Sequence, residues 1–282
     1  MILNGMAPTL RPMLPADVDG AAELILTHGW GVRRDWLAFA ASQAACNPVV
    51  AEDGGRIVAT GVGTANGRVG WIGSIFVDPE HRGRGLGRAL TQAIIDGLEA
   101  AGCRTFSLVA THEGRRLYQK MGFTSHTTYR ILEISGLAAG SPTGHVRPFE
   151  AGDLDEICAL DKAATGEDRR HAIDAFANPD AAKVALDADG AVAGFVIRAP
   201  WGGGATVAPS IDDALGILAA RRVASGPDGR VRVGILAENH EGHDRLIELG
   251  MRPSWTAPRM IRGEPLDWQP EWIWGQFNHA MG

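Results

Sequence analysis

The sequence predicts an α/β (α+β) chain of two similar domains, each a mixed, mostly antiparallel twisted sheet flanked by helices. Apolar runs of period two are separated by short turns, the pattern of an antiparallel meander. One such run feeds a glycine-rich turn and then a run whose apolar period fits a helix. The same order of patterns returns in the second half, which indicates an internal repeat of the whole domain.

The composition limits the number of domains, the cellular compartment and the partners that this chain can be expected to have. The chain has 282 residues, 45% of them apolar, enough for two cores. Its three cysteines lie far apart, an odd and sparse set that favours a reducing cytoplasm over a disulfide framework. No apolar run approaches the ~20 residues that span a membrane, and the net charge of −6 argues against a nucleic-acid surface. We expect a cytoplasmic monomer or homodimer with no membrane or nucleic-acid partner.

Charge is distributed unevenly between the two halves. Residues 1–141 hold 13 Lys+Arg against 12 Asp+Glu, and residues 142–282 hold 14 against 21. The first half is therefore near neutral and the second carries a net charge of −7. An anionic ligand is expected to prefer the first half and a cationic one the second. The alternative interpretation is that the acidic surface only aids solubility.

The first half reads as a sequence of short elements. A helix is predicted to begin after Asp17, and Pro48 ends the next one. Asn66-Gly67 is a strong hairpin signal, and Gly73 permits a bulge. The predicted strands are 9–14, 49–52, 56–64, 68–77, 105–110 and 124–134, and the predicted helices begin at Asp17 and span 34–45 and 86–101.

The strand, turn and helix around residues 77–90 form an expected anion-binding site. Three glycines at alternate positions bare the backbone at a helix start, where unpaired N–H groups and the helix dipole favour a phosphate. Arginines flank the turn. A P-loop is excluded because Arg88-Ala89 stands where Lys-Ser/Thr is needed, and a dinucleotide fingerprint is excluded by the G-x-G-x-G spacing.

These residues resemble a known family. The segment Arg82-Gly83-Arg84-Gly85-Leu86-Gly87 matches the pattern Arg/Gln-x-x-Gly-x-Gly/Ala, the coenzyme A pyrophosphate loop of the GNAT superfamily of N-acetyltransferases. Leu117–Phe123 is similar to the family's Tyr-x-x-x-Gly-Phe segment. The resemblance covers roughly residues 8–135, with the two motifs in the family's order.

The resemblance implies an enzyme that moves an acetyl group from acetyl-CoA to an amine, with no metal. It implies that the backbone N–H near Val77 stabilises the oxyanion and that Tyr118 protonates the leaving thiolate. It leaves the base open among Glu23, Asp35, His112 and a water chain. The implied cofactor-binding residues are Ile75, Phe76, Val77, Arg82, Gly83, Arg84, Gly85, Leu86, Gly87, Arg88, Thr111 and Tyr118.

The second half resembles the divergent C-terminal domain of tandem GNAT proteins. We expect an N-terminal catalytic domain at 1–135, a small-residue linker at 136–145 and a degenerate GNAT-like domain at 146–282. The second copy of the repeat is not expected to bind coenzyme A. Its residues 206–213 lack the glycine-arginine pattern, and Leu246 stands at the position that corresponds to Tyr118. The tryptophan-rich segment 268–277 is expected to pack over this domain.

The acceptor is expected to be a small-molecule amine that attacks the thioester directly in a ternary complex. Trp30, Asp161, Glu167 and Asp168 are the candidate acceptor-binding residues; the last three flank Gly166 in a segment that resembles a Gly-x-Asp-Arg motif of such C-terminal domains. The competing interpretations are a packed core tryptophan and a solvated helix start. For the whole chain, the alternatives are a non-catalytic coenzyme-A-binding sensor and a protein N-acetyltransferase.

Overall fold

The computed structural model describes residues 7–136 and 145–282, so almost all of the predicted linker at 136–145 lies outside the described residues. The chain divides into two compact units. The first comprises Met1–Leu108 and His279–Met281, and the second comprises Val109–Asn278 and Gly282. The domain boundaries at 135 and 146 stay predictions.

The first unit is a meander of strands with helices. Its elements are β1 (Thr9–Pro12), α1 (Val18–Thr27), α2 (Arg34–Ser42), β2 (Cys46–Asp53), β3 (Arg56–Asn66), β4 (Val69–Val77), α3 (Leu86–Ala100) and β5 (Thr105–Val109). The strands lie in the order β1-β2-β3-β4-β5. All neighbours are antiparallel except β4 and β5, which are parallel.

The helix α3 lies close against one face of this sheet. A Cβ on Gly63 would come within 2.7 Å of Ile94, and one on Gly70 within 2.8 Å of Leu98. Glycine at these positions therefore lets helix and sheet approach closely. The helix α2 ends three residues before the predicted Ala45, because the chain turns there and β2 already pairs with β3 from Cys46.

The second unit contains two sheets. Its elements are α4 (Arg115–Lys120), β6 (Thr124–Ser135), β7 (His145–Pro148), α5 (Leu154–Thr165), α6 (Arg170–Phe176), β8 (Ala182–Leu186), β9 (Val192–Arg198), β10 (Gly204–Val207), α7 (Ile211–Ser225), β11 (Arg230–Leu236), α8 (His240–Glu248), β12 (Arg252–Gly263) and β13 (Ile273–Gly275). Strand β6 lies between β12 and β11, and the other sheet has the order β13-β10-β9-β8-β7. Trp274 on β13 is buried and donates to Ala208 O at 3.0 Å, so this part of the segment 268–277 packs within the second unit.

The internal repeat is visible in one ion pair that occurs twice. Arg11 holds Asp17 through two hydrogen bonds of 2.6 and 2.9 Å, and Arg147 holds Asp153 in the same way at 2.8 and 2.7 Å. Each carboxylate also accepts the backbone N–H three residues before it. The pair fixes the turn from a strand into the following helix, and the arginine holds the pKa of each aspartate below its usual value.

We predict that Asp17→Asn lowers the free energy of unfolding by roughly 1.5–3 kcal/mol at pH 7, the value of a charge-assisted hydrogen bond. Because the pKa of Asp17 is lowered in the fold, this stabilisation is present above pH ~4 and is lost as the pH falls through the lowered value.

Asp19→Asn is the matched control, because its ion pair with Arg34 is exposed on both sides. It should change stability by less than about 1 kcal/mol. Denaturant titration of both variants measures the difference, and equal midpoints would contradict a stabilising role of the half-buried Arg11–Asp17 pair.

Candidate active site

Strand β4 separates from β5 where the site begins, while it stays paired with β3 to Val77. The parallel ladder with β5 runs from Val69 to Ile72, and β4 continues beyond it to Val77. In the ladder with β3, the register shifts so that two residues, Ser74 and Ile75, lie opposite one. Ser74 has φ 53°, in the left-handed region, so this is a β-bulge in a strained backbone. It lies directly after Gly73, where the sequence allowed for one.

The register also shows where the N–H of Val77 points. Asp78 N–H donates to Val58 O at 2.9 Å, toward β3. Successive residues of an antiparallel strand direct their N–H groups to opposite edges. The Val77 N–H therefore faces away from β3, toward the edge from which β5 has diverged. The Val77 carbonyl agrees with this, since it accepts from Arg82 Nε at 3.1 Å rather than from β3.

The glycine-rich turn has the geometry that the sequence predicts. Gly83 and Gly85 have φ of 76° and 81°, a conformation that residues with a Cβ rarely adopt, and Gly85 caps the start of α3. Leu86 is buried, which anchors the first turn of the helix in the core. Arg84 and Arg88 are exposed, and neither forms an ion pair or a hydrogen bond through its side chain within the part of the chain that the structure describes.

A buried polar cluster that the sequence analysis missed holds this turn in place. Asp78 accepts the N–H of Glu80 at 3.0 Å and is paired with Arg56 at 3.0 Å. His81, directly before the arginine-glycine motif, is buried and lies with Nε2 3.0 Å from Asp53 Oδ2. The turn is thereby tied to the β2–β3 hairpin. No sequence signal links Asp53 to His81, because the contact spans 28 residues.

The predicted acceptor residue Trp30 lies beside the predicted cofactor residue Phe76. Their ring centroids are 5.3 Å apart in an edge-to-face arrangement, and the His28 ring is also 5.3 Å from Phe76. The guanidinium of Arg82 lies 5.8 Å above the same ring. Trp30 remains 39% exposed, so it is not a core plug. The structure thus brings Trp30, Phe76 and Arg82 together within the first unit.

Tyr118 and Thr111 belong to the second unit. Tyr118 on α4 is buried, with its ring 6.0 Å from Phe123 at an edge-to-face angle. Burial raises the pKa of Tyr118 to about 12. The phenol therefore stays protonated at neutral pH, as a proton donor must. The exposed Thr111 accepts the N–H of Gly114 at 3.1 Å and shapes the approach to α4.

The candidate acids of the second unit lie in different surroundings. Asp161 is buried on α5 and accepts from Arg169 Nε at 3.0 Å. Glu167 is buried 3.4 Å from Arg259. Asp168 is exposed at the start of α6. The two buried charges are balanced by arginines, so of these three acids only Asp168 presents a carboxylate to solvent.

Among the residues that the structure describes, no group of three or more His, Cys, Asp or Glu side chains is placed to hold a metal ion. In residues 7–136 and 145–282, no helix has both the length and the apolar character to cross a membrane.

Comparison with known proteins agrees with these observations. The model of the acetyltransferase (GNAT) family matches residues 17–123, and that of an acetyltransferase (GNAT) domain matches residues 157–275. A Bacillus subtilis (strain 168) protein, the uncharacterised N-acetyltransferase YitH, is 28% identical over 225 residues, 77% of this chain and 78% of that protein.

Two solved structures show the same fold along most of the chain. A putative acetyltransferase from Pyrococcus horikoshii superposes with a TM-score of 0.81 at 19% identity, covering 100% of this chain and 98% of that one. A tandem GNAT protein from the clavulanic acid biosynthesis pathway superposes with a TM-score of 0.62 at 16% identity, covering 92% and 100%.

The fold and the glycine-arginine turn define an acyltransferase. The two family matches together cover most of the chain, and the chain belongs to the GNAT family of acetyltransferases as a protein with two GNAT domains in tandem. The family and the fold class that the sequence predicts are confirmed.

Because Glu167 is buried beside Arg259, its replacement should lower the stability of the fold. Glu167→Gln removes the charge that balances the buried Arg259, and we expect it to lower the free energy of unfolding by roughly 2–4 kcal/mol. Asp168→Asn, one residue away and exposed, should leave stability unchanged within about 0.5 kcal/mol. Denaturant titration of the two variants measures both changes in stability. Equal midpoints would contradict the burial of the Glu167 charge against Arg259.

Proposed function

We propose that this chain transfers the acetyl group of acetyl-CoA to the amine of a small-molecule acceptor by direct attack in a ternary complex. When bound, acetyl-CoA supplies the activated acetyl thioester. The observation that carries the proposal is the turn before α3. Its positive-φ glycines, together with Arg84 and Arg88, whose side chains have no partner among residues 7–136 and 145–282, form an open, positively charged helix start.

These residues fit a pyrophosphate for three physical reasons. The first N–H groups of α3 lack helical partners, and the helix dipole adds partial positive charge there. Gly83 and Gly85 have no Cβ and stand in open space, so a phosphate can approach the backbone. The guanidinium groups supply charge-assisted hydrogen bonds. The cofactor-binding roles of Ile75, Gly87 and Thr111 are part of the same proposal.

The proposal gives this chain's residues two tasks in the acetyl transfer. The Val77 N–H, which faces away from β3, donates to the thioester carbonyl oxygen and stabilises its developing negative charge. Tyr118 donates its phenolic proton to the sulfur that leaves. Its pKa of about 12 keeps it protonated, and this proton is lost only as the pH rises through that value.

The acceptor must lose a proton before or during its attack. Glu23, Asp35 and His112 are all exposed, so each has access to water. A small-molecule acceptor is part of the same proposal, and an acetyltransferase that modifies proteins is the alternative. A set of amines tested in a thiol-release assay, with peptides bearing free amines alongside, separates this proposal from protein acetylation.

We predict that Arg84→Ala weakens acetyl-CoA binding at least tenfold, because a lost charge-assisted contact is worth roughly 1.5–3 kcal/mol. Arg84 is the sharper of the turn's arginines to test, because it has no side-chain partner that its removal would disturb in the described structure. Arg82→Ala should weaken binding too, although it also removes the contacts to Val77 O and Phe76. Isothermal calorimetry measures both.

Arg245→Ala is the matched control, an exposed arginine on α8 of the second unit. It removes the same charge and should leave the affinity for acetyl-CoA unchanged. If Arg84→Ala binds as tightly as this control does, the turn is not the pyrophosphate site.

We predict that Tyr118→Phe lowers kcat by about 10²–10⁴-fold, the usual contribution of a positioned proton donor. Phenylalanine keeps the ring that packs against Phe123, so the affinity for acetyl-CoA should not change. Steady-state thiol release and calorimetry on the same protein separate the two effects. Turnover at the wild-type rate would make Tyr118 a packing residue.

A further inference from the structure

Strand β10 of the second unit is the counterpart of β4 in the first. Each follows a pair of antiparallel strands and precedes a helix of 15 residues. Each also runs into a Val-x-Pro sequence, Val77-Asp78-Pro79 after β4 and Val207-Ala208-Pro209 after β10. In the same order, β11 corresponds to β5 and α8 to α4. The edge of β4 that faces away from β3 is the proposed place of the thioester, so the matching edge of β10 is the one that faces away from β9.

That edge of β10 is occupied by the chain itself. Its occupant is the segment Trp272–Gln276, which contains β13 and is called the β13 segment below. Strand β13 pairs antiparallel with β10, and it also lies next to β11. Backbone hydrogen bonds extend the pairing at both ends, since Gly204 N–H donates to Gln276 O at 3.0 Å and Ala208 N–H donates to Trp272 O at 2.9 Å. The β13 segment therefore lies between the counterparts of β4 and β5.

The turn before α8 also holds this part of the chain. The turns before α4 and α8 are built alike, because Thr111 Oγ1 accepts the N–H of Gly114 at 3.1 Å and Asn239 Oδ1 accepts the N–H of Gly242 at 2.9 Å. Asn239 then uses its Nδ2 to donate to Glu271 O at 2.7 Å, directly before the β13 segment. Thr111 is a proposed cofactor contact, so its counterpart binds main chain instead.

The indole of Trp274 fills the remaining space. Trp274 is buried, and a Cβ added to Gly242 would come within 2.6 Å of its Cη2 atom. It belongs to the same apolar cluster as Leu246, which stands at the position that corresponds to Tyr118. The β13 segment thus contacts the counterparts of the strand, the turn and the helix position that are proposed to hold the cofactor in the first unit.

The start of α7 is closed to a phosphate as well. Ser210 Oγ accepts the N–H of Asp213 at 3.4 Å, and Asp212 and Asp213 place two carboxylates in the first turn of the helix. The start of α3 carries Gly85 and Arg88 instead. Because an anion is repelled by carboxylates at a helix start, this end of the second unit gives no cradle for a pyrophosphate.

We propose that the β13 segment is a built-in replacement for the cofactor, and that the chain binds a single acetyl-CoA, in the first unit. The replaced molecule is identified through the proposed function, on which this inference rests. A segment attached to the chain has a high effective concentration, so a diffusing cofactor competes poorly with it. Its backbone hydrogen bonds and its buried indole stabilise the second unit as a bound ligand would.

The first test uses the unmodified protein. Isothermal calorimetry with acetyl-CoA should give a stoichiometry of one per chain. Hydrogen exchange followed by mass spectrometry should show that peptides covering 204–208 are protected before acetyl-CoA is added, and that the addition leaves them unchanged. Peptides covering 83–90 should gain protection when acetyl-CoA binds.

Gly275→Ala tests the pairing of β13 with β10. A Cβ at Gly275 would come within 2.6 Å of Gly204 O, so it separates the two strands. We expect peptides covering 204–208 to exchange at least about tenfold faster, the effect of roughly one lost hydrogen bond. The Kd for acetyl-CoA should stay within about twofold, because its site is in the other unit. Gly152→Ala is the matched control, since a Cβ there meets open space.

A second variant keeps the test valid if Gly275→Ala does not fold. Asn239→Asp retains an oxygen that accepts the N–H of Gly242 but loses the donor to Glu271 O. It should raise the exchange rate of peptides covering 271–276 about tenfold and leave the Kd for acetyl-CoA unchanged.

The outcomes separate this inference from the proposed function. One acetyl-CoA per chain, with 204–208 protected in the free protein and exchanging faster in the variants than in the control, supports the replacement. Two acetyl-CoA per chain, or protection of 204–208 that appears only when acetyl-CoA is added, overturns it and leaves the acetyl transfer standing. No binding of acetyl-CoA overturns the proposed function, and the replacement role falls with it.

Discussion

The divergence of β4 from β5 is the constraint on which the rest of the site depends. Four residues of β4 pair with β5, and the ladder then ends at Ile72 while β4 continues to Val77. A strand that kept both neighbours would use its N–H and carbonyl groups on both edges. Because β4 gives up one ladder and bulges at Ser74, the backbone near Val77 has hydrogen-bonding groups for something other than the sheet.

The chain that leads into the glycine-rich turn is held in place by side-chain contacts. An open loop of glycine and arginine would lose conformational entropy on binding a phosphate. Here the chain before the loop is pinned by Asp78, which holds a backbone N–H and Arg56, and by the buried His81 against Asp53. The pinned residues Asp78 and His81 therefore fix where the glycine-rich turn begins, directly before α3. The buried His81 thus has a structural role beside the glycine-rich turn, although histidine is a residue type that often acts in catalysis.

The two halves share a framework and differ in how they use charge. Both retain the arginine–aspartate pair at the first helix, once as Arg11–Asp17 and once as Arg147–Asp153. The first unit then presents arginines to solvent at its glycine turn. The second unit buries two ion pairs, Arg169–Asp161 and Arg259–Glu167, and both are nearly inaccessible to solvent. Such pairs contribute little net stability, but breaking one leaves an uncompensated buried charge. Because each buried pair is neutral, the net charge of −7 of residues 142–282 is carried by the other ionisable side chains of this half.

The sequence by itself determined the features that local patterning encodes. The order of elements, the hairpin at Asn66-Gly67 and the repeat all followed from period, turn residues and the motif around Gly85, because these depend on neighbours along the chain. Tertiary structure alone decided the long-range contacts. Which acids are buried, that His81 meets Asp53, and that His279 returns to the first unit against Gly73 all depend on residues far apart in sequence, for which a single chain carries no local signal.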